Sequence, residues 1–154
     1  ELQKHNIKLV SNQVRYNLLD RKIESNGILQ TAKELGVTII AYSPLAQGLV
    51  TGKFHDNPDL LKNIGLRRYS SGFKPAGLEK SRPVVKSVQE LAIKYGVTPS
   101  QIALNWLIHA HGETVVAIPG ATKESHAREN VGTMSFTLTS EDISLLDKKS
   151  TLFR

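Results

Sequence analysis

The stretch AYSPLAQGLVTGK, Ala41 to Lys53, ends the apolar run VTIIAY on a flat aromatic (Tyr42) and follows it with a hydroxyl (Ser43), two glycines and a lysine (Lys53). A ring at a strand end stacks on a flat heterocycle, a serine hydroxyl and free backbone N–H groups hold phosphate oxygens, and a lysine supplies the counter-charge. A turn that merely leaves a sheet uses the same Ser-Pro and Gly, so the case depends on what accompanies this loop. Two stretches do. Gln13, near the end of IKLVSNQV, carries both a donor and an acceptor, as recognition of a carboxamide requires. The competing reading of Gln13 is a buried amide that satisfies its own backbone. In IPGATKESHAREN, Gly120 permits close backbone approach, and Thr122 is expected to cap a helix whose N-terminal N–H groups favour an anion. Lys123, His126 and Arg128 bring positive charge into its first turns, where the helix dipole alone prefers acids. A bound anion resolves that conflict; a surface helix with incidental bases is the alternative.

Other chemistries lack their signatures. Neither G-x-G-x-x-G nor G-x-x-x-x-G-K-[ST] occurs, and no G-x-S-x-G elbow organises a serine nucleophile. His5, His55, His109 and His111 stand at separations that match no zinc motif, and the absence of cysteine excludes both a disulfide framework and a thiolate metal site. The formal charge is +6, but the basic residues are scattered and their densest pairs, Arg67-Arg68 and Lys148-Lys149, are short. That pattern fits a local anion site, with no nucleic-acid or membrane partner. No apolar run approaches a membrane span and the first residues lack the apolar core of a signal peptide, so a cytoplasmic protein is expected. A start at Glu1, with Met134 the one methionine, suggests a processed or truncated beginning.

The elements that must position these residues follow from periodicity. Ile7 to Val14, Val37 to Tyr42 and Thr114 to Pro119 read as strands, and the continuous apolar character of the latter two predicts parallel strands covered on both faces. In KIESNGILQTAKELG, Ile23, Ile28, Leu29, Ala32 and Leu35 fall on one helical face, with Gly36 at the left-handed C-terminal position. A helix from about Glu79 to Tyr95 turns Val84, Val85, Val88, Leu91 and Ala92 inward. The next begins at Thr98-Pro99 with Gln101 closing a capping box, and buries Ile102, Ala103, Trp106 and Leu107. Another starts at Thr139 with Asp142 reaching back to the cap. Residues 54–77 are expected to form a long irregular loop. Alternating strands and helices imply a parallel α/β sheet, open or closed as a barrel, and 154 residues suffice for one domain, 1–154, and for only part of an eight-stranded barrel. In such folds ligands bind at the C-terminal ends of the strands, where Gln13, Tyr42 and Gly120 stand. Tyr16, Asp20 and Arg21 follow the first strand closely enough to line a pocket there.

The segments NQVRYNLLDR, AYSPLAQGLVTGK, TPSQIALNWLI and IPGATKESHAREN, in that order and spacing, resemble the aldo-keto reductases, NADP(H)-dependent carbonyl reductases built on a (β/α)8 TIM barrel. They run from Asn12 to Asn130 and correspond to about the second, C-terminal half of that fold. The resemblance implies that Gln13 binds the nicotinamide carboxamide and that Tyr42 stacks on its ring. Ser43, Pro44, Leu45, Gln47 and Lys53 would surround the pyrophosphate, with Arg67 or Arg68 closing over it. Gly120, Thr122 and Lys123 would face the adenosine 2′-phosphate, Glu129 and Asn130 the adenosine, and His126 a place where relatives carry Gln or Arg. The family's catalytic Asp, Tyr, Lys and His belong to the N-terminal half, and no segment here matches their motifs. The expected partners are a small carbonyl substrate and the missing half of the barrel, or self-association in its place. Two other readings stand beside this one: a regulatory NADP(H)-binding protein resembling the ion-channel β subunits that share these loops, and a different phosphate-binding barrel enzyme acting on a sugar phosphate.

Overall fold

Three short parallel strands lie side by side in chain order: β1 (Ser11–Arg15), β2 (Thr38–Tyr42) and β3 (Val115–Ala117). The computed structural model describes residues 2–154, so the beginning expected at Glu1 lies outside them. In register, Gln13 sits beside Ile40 and Arg15 beside Tyr42 on one side of β2, and Ile40 sits beside Val116 on the other. Each strand is shorter than its apolar run. Ile7, Leu9 and Val10 precede β1 and stay exposed, because β2 begins to pair only at Thr38.

Helices cover one face of this sheet. Ile39 and Ala41 are fully buried against them, whereas Tyr42 and Val116, on the opposite face, are 39% and 44% exposed. The expectation of strands covered on both faces is therefore corrected: the apolar run VTIIAY makes both faces apolar, but the described residues cover only one. The covered face packs on α1 (Ile28–Leu35), α3 (Pro75–Tyr95) and α4 (Pro99–His109), with Trp106, Val84, Val88, Ile102 and Leu107 fully buried at the centre. Gly36 ends α1 in the left-handed conformation (φ 63°) and gives its N–H to Ala32. The capping box of α4 forms as expected: the Gln101 N–H donates to Thr98 Oγ1 at 3.3 Å, and the Thr98 N–H donates to Gln101 Oε1 at 3.0 Å. At the last helix, α6 (Ser140–Lys149), Thr139 Oγ1 accepts the Asp142 N–H at 3.3 Å, and the Asp142 carboxylate gathers Lys94 Nζ and the Tyr95 hydroxyl from the end of α3.

Residues 54–77 are more ordered than an irregular loop. They contain most of α2 (Lys53–Asp56), three 3-10 turns (Pro58–Asn63, Gly65–Tyr69, Ser71–Phe73) and the start of α3, which opens at Pro75, four residues ahead of the expected Glu79. Apolar residues inside the stretch hold it: Phe54 and Phe73 meet edge to face at 5.3 Å and join Ala46, Leu49 and Leu78 in a second, smaller core.

Candidate active site at the strand ends

Because the strands are parallel and adjacent, their C-terminal ends share one rim, and the residues that leave it form the candidate site. Gln13 projects from β1 on the open face and is exposed, so the reading of a buried, self-satisfied amide is corrected. Ile40 and Val116 continue its row across the sheet, and Tyr42 stands one repeat further toward the rim beside Arg15. Arg15 is held by Asp20, Nε to Oδ2 at 3.3 Å.

The chain past Tyr42 is strained. Ser43 (φ 51°), Ala46 (φ 49°) and Gln47 (φ 58°) adopt positive φ without being glycine, and Gly48 follows at φ 86°. Each such residue costs about 1–3 kcal/mol, and such strain concentrates at functional sites where surrounding contacts enforce it. One enforcer is Asn17, 1% exposed, which donates its Nδ2 to the Ser43 carbonyl at 3.0 Å and takes the Leu19 N–H on its Oδ1 at 2.8 Å. The Ser43 carbonyl also accepts the Ala46 N–H at 2.9 Å. The loop leaves the N–H groups of Leu45 and Gln47 without an acceptor among the described residues, and Gln47 is exposed. Pro44 and Leu45 turn toward the protein, Pro44 buried and Leu45 packed on the main core. Lys53 lies across the loop: a Cβ added to Gly48 would stand 2.9 Å from Lys53 Cε and 3.0 Å from its Nζ. Arg67 and Arg68 are exposed on the second 3-10 turn, and Arg68 Nη2 donates to the Tyr69 hydroxyl at 2.8 Å.

Beyond β3, Gly120 has open space around it, and Thr122 and Lys123 are exposed. Thr122 is not the cap of the next helix. That helix, α5 (Glu124–Gly132), is capped by Lys123 without a side-chain bond, and Thr122 Oγ1 instead lies 3.4 Å from His126 Nδ1, one turn along. The basic cluster is partly resolved within the helix, since Arg128 grips Glu124 Oε1 through Nη2 at 2.6 Å and Nε at 2.9 Å. Glu129 accepts the Thr98 hydroxyl at 2.6 Å, and Asn130 is half-buried beside it.

Tyr16 and Arg21 do not line this rim. Both are fully buried under the helices: the Tyr16 hydroxyl donates to Glu24 at 2.6 Å and meets His111 Nε2 at 2.5 Å, while Arg21 pairs with Glu24 and Asp147. Burial and the adjacent Glu24 carboxylate push the Tyr16 hydroxyl far above its ordinary range, so it keeps its proton. Asn17 and Arg15 are the site residues that the sequence reading missed. The polar pair Asn17 and Asp20, flanking Leu18-Leu19, was the available signal for the tight turn they form, with Asn17 and Asp20 exchanging both backbone hydrogen bonds. A cleft of about 270 Å³ lies away from the rim, between the free flank of β1 and α1, lined by Leu9, Asn12, Ile28 and Leu35. Among the described residues there is no cluster able to hold a metal ion, and no helix is long and apolar enough to cross a membrane.

A family model described as the aldo/keto reductase family matches residues 1–151. A probable pyridoxal reductase of Schizosaccharomyces pombe is 34% identical over 140 residues, covering 89% of this chain and 42% of that protein. An aldo-keto reductase of Strobilurus tenacellus is 37% identical over 138 residues, covering 88% of this chain and 40% of that one. Among solved structures, a glycerol dehydrogenase of Gluconobacter oxydans superposes with a TM-score of 0.82 at 27% identity, covering 97% of this chain and 45% of that one. An aldo/keto reductase of Klebsiella pneumoniae in complex with NADP and acetate gives 0.62 at 27% identity, covering 90% and 38%. The chain thus spans about two-fifths of the length of the curated relatives it matches, and its three parallel strands with flanking helices are part of a (β/α)8 barrel. The chain belongs to the aldo/keto reductase family.

Proposed function

We propose that this chain is the cofactor-binding part of an NADP(H)-dependent aldo-keto reductase that reduces a small aldehyde or ketone to an alcohol. The observation that supports this reading is the convergence of Gln13, Tyr42 and the strained Ser43–Gly48 loop, crossed by Lys53, at the one rim where three parallel strands end. The donor set fits a dinucleotide. Gln13 would hold the nicotinamide carboxamide and Tyr42 its ring; the Ser43 hydroxyl, the free N–H groups of Leu45 and Gln47, and Lys53 would take the pyrophosphate together with Arg67 or Arg68. Lys123, with Gly120 and Thr122, would meet the adenosine 2′-phosphate, and His126, Glu129 and Asn130 would flank the adenosine; Glu129 has one carboxylate oxygen committed to Thr98. The Klebsiella pneumoniae relative solved with NADP supports that choice of cofactor.

Bound NADPH supplies the hydride. Residues of this chain bind and orient it. The proton for the forming alkoxide must come from elsewhere: Tyr16 is buried and keeps its proton in a hydrogen bond to Glu24, and Tyr42, the tyrosine at the rim, has Arg15 as its strand neighbour in place of a lysine and an aspartate. The catalytic residues then belong to the preceding part of the barrel, which would also cover the open face of the sheet and pair the edge of β1. Without it, the chain would associate with another copy and would not turn over.

The test combines an intact mass with NADPH titration and carbonyl turnover. A polypeptide of roughly twice 17.0 kDa that binds NADPH in preference to NADH and reduces carbonyls is the expected result. Equal binding of the two cofactors sinks the 2′-phosphate assignment. Tight NADPH binding by the longer polypeptide without turnover would replace the reductase by a regulatory cofactor-binding protein.

A further inference from the structure

The arginine-bearing segment meets the body of the protein at a very close backbone contact. Gly77, in the first turn of α3, lies so close to the preceding 3-10 turn that an added Cβ would stand 2.1 Å from the Ser71 carbonyl oxygen and 2.8 Å from both Gly72 Cα and its carbonyl oxygen. Gly72 is itself pressed on Leu49: a Cβ there would stand 3.1 Å from Leu49 Cδ2. Leu49 directly follows the strained loop and belongs, with Ala46 from inside that loop, to the small core closed by Phe54, Phe73 and Leu78. Residues 58–71 contribute only the partly buried Leu60, Leu61 and Ile64 to that core, while Leu66, Arg67, Arg68 and Tyr69 are exposed.

We propose that the Gly72–Gly77 contact is a latch that sets the arginine-bearing segment at a fixed distance from the Ser43–Gly48 loop, which makes Gly77 a positioning residue for anion binding by that segment. The packing that transmits the position runs from Gly77 through Gly72 to Leu49 and so to the loop. Since a Cβ cannot share 2.1 Å with a carbonyl oxygen, any side chain at position 77 forces the Ser71–Gly72 backbone outward by on the order of an ångström, and the segment above it must follow. In the helix itself alanine is favoured over glycine by about 1 kcal/mol, so the substitution acts on the segment and leaves α3 intact. The binding half of this inference rests on the cofactor reading above; the positional half does not.

Gly77→Ala in the full chain, followed by amide hydrogen exchange and NADPH titration, separates the two. The expected result is unchanged helical circular dichroism, exchange of amides in residues 58–73 faster by about tenfold or more with α4 and α6 unaffected, and NADPH binding weaker by about tenfold, the loss of one charge-assisted contact. Gly72→Ala, whose methyl meets only the flexible end of Leu49, should move both readouts in the same direction by less, and stands in if Gly77→Ala does not fold. Unchanged exchange in a folded Gly77→Ala protein overturns the latch. Accelerated exchange with unchanged NADPH affinity overturns its role in binding. If the wild-type protein binds no NADPH, the cofactor reading fails, and the latch is decided by exchange alone.

Discussion

The Arg21 guanidinium lies over the Trp106 ring, 4.9 Å from its centre, and both side chains hold the same carboxylate, Arg21 Nη2 at 2.9 Å and Trp106 Nε1 at 3.1 Å from Asp147 Oδ1. Arg21 also grips Glu24, gives Nη1 to Ser150 at 2.5 Å, and donates its backbone N–H to Phe153 at 2.6 Å. One residue thus ties the turn after β1 to α4, to α6 and to the C-terminal turn. Burial works against its charge, but the hydrogen bond and the charge of Glu24 outweigh it and hold its pKa above the ordinary value.

Removing Arg21 takes a buried guanidinium from both carboxylates, leaving Glu24 with Tyr16 and Arg154 and the part-exposed Asp147 with Trp106 Nε1. Arg21→Leu should therefore destabilise the fold by about 3–5 kcal/mol, the cost of orphaning a buried charge. Urea unfolding checks this; a loss below about 1 kcal/mol would mean that water reaches Glu24 and Asp147 once the guanidinium is gone.

Glu24 makes the same network acid-sensitive. Burial alone would raise its pKa, but hydrogen bonds from His111, Arg21 and Tyr16 overcome that and hold it well below its ordinary 4.5. A lowered folded-state pKa contributes stability that is complete above that ordinary value and is lost as pH falls below it. Glu24→Gln should lower stability at neutral pH and flatten the acid limb of the stability profile; an acid limb as steep as that of the wild type would place the titrating group elsewhere.

A second pH effect belongs to His55. Ser81 Oγ lies 2.9 Å from His55 Nε2 and can give its own proton to the Gly77 or Leu78 carbonyl, at 3.0 and 3.1 Å, so the ring donates from Nε2 and its buried Nδ1 has no partner among the described residues. Burial, reinforced by the positive charge of Arg82 and only partly offset by the Leu78 carbonyl, Asp56 and Glu79, lowers its pKa below 6.5. The unfolded chain then binds the proton first, so this contribution is complete above pH 6.5 and declines as pH drops through the lowered value. Melting temperatures at about pH 7.5 and 5.5 should converge in His55→Gln, which keeps a donor toward Ser81. An equal drop in both proteins would remove His55 from the account.

Local rules carried most of the fold into the sequence. The Thr98–Gln101 box, the Thr139 cap and Gly36 are each decided by bonds within a few residues, and all three form as the side chains dictate. Thr122 shows where such reasoning stops. A hydroxyl before a helix caps it only if the first turn starts one residue on, and here Lys123 is itself extended and takes the cap position, with His126 as the alternative partner for the Thr122 hydroxyl. Coverage of the sheet was illegible for a different reason: an apolar run reports which faces avoid water, and Ile40 and Val116 do so whether or not this chain supplies the cover. Asn17 escaped because its partner, the Ser43 carbonyl, is 26 residues away in sequence, and its role appears only once β1 and β2 are paired.

Thr98 joins a structural role to the candidate site. Its hydroxyl receives the Gln101 N–H and donates to Glu129, so Thr98→Ala removes a cap and frees a carboxylate in α5. The expected loss is about 1 kcal/mol, and Thr98→Ser, which keeps both bonds, should recover most of it. A serine variant as unstable as the alanine variant would show that the methyl group matters more than the hydroxyl.

Lys123 and Arg128 stand near the same helix end with different commitments, and that difference makes a sharp test of the cofactor reading. Arg128 is held by Glu124 through two short bonds, whereas Lys123 is exposed and has no ion-pair partner among the described residues. If Lys123 meets the 2′-phosphate, Lys123→Ala should weaken NADPH binding by about ten- to a hundredfold, since charge-assisted phosphate contacts are among the strong ones. NADH, which lacks that phosphate, should bind as before. Arg128→Ala should change neither affinity, because its charge is already spent on Glu124, and neither variant should unfold α5, since both side chains lie outside the core. Equal weakening of NADPH and NADH by Lys123→Ala would move the 2′-phosphate away from this helix end; selective weakening by Arg128→Ala would mean that the Glu124 pair opens to receive it.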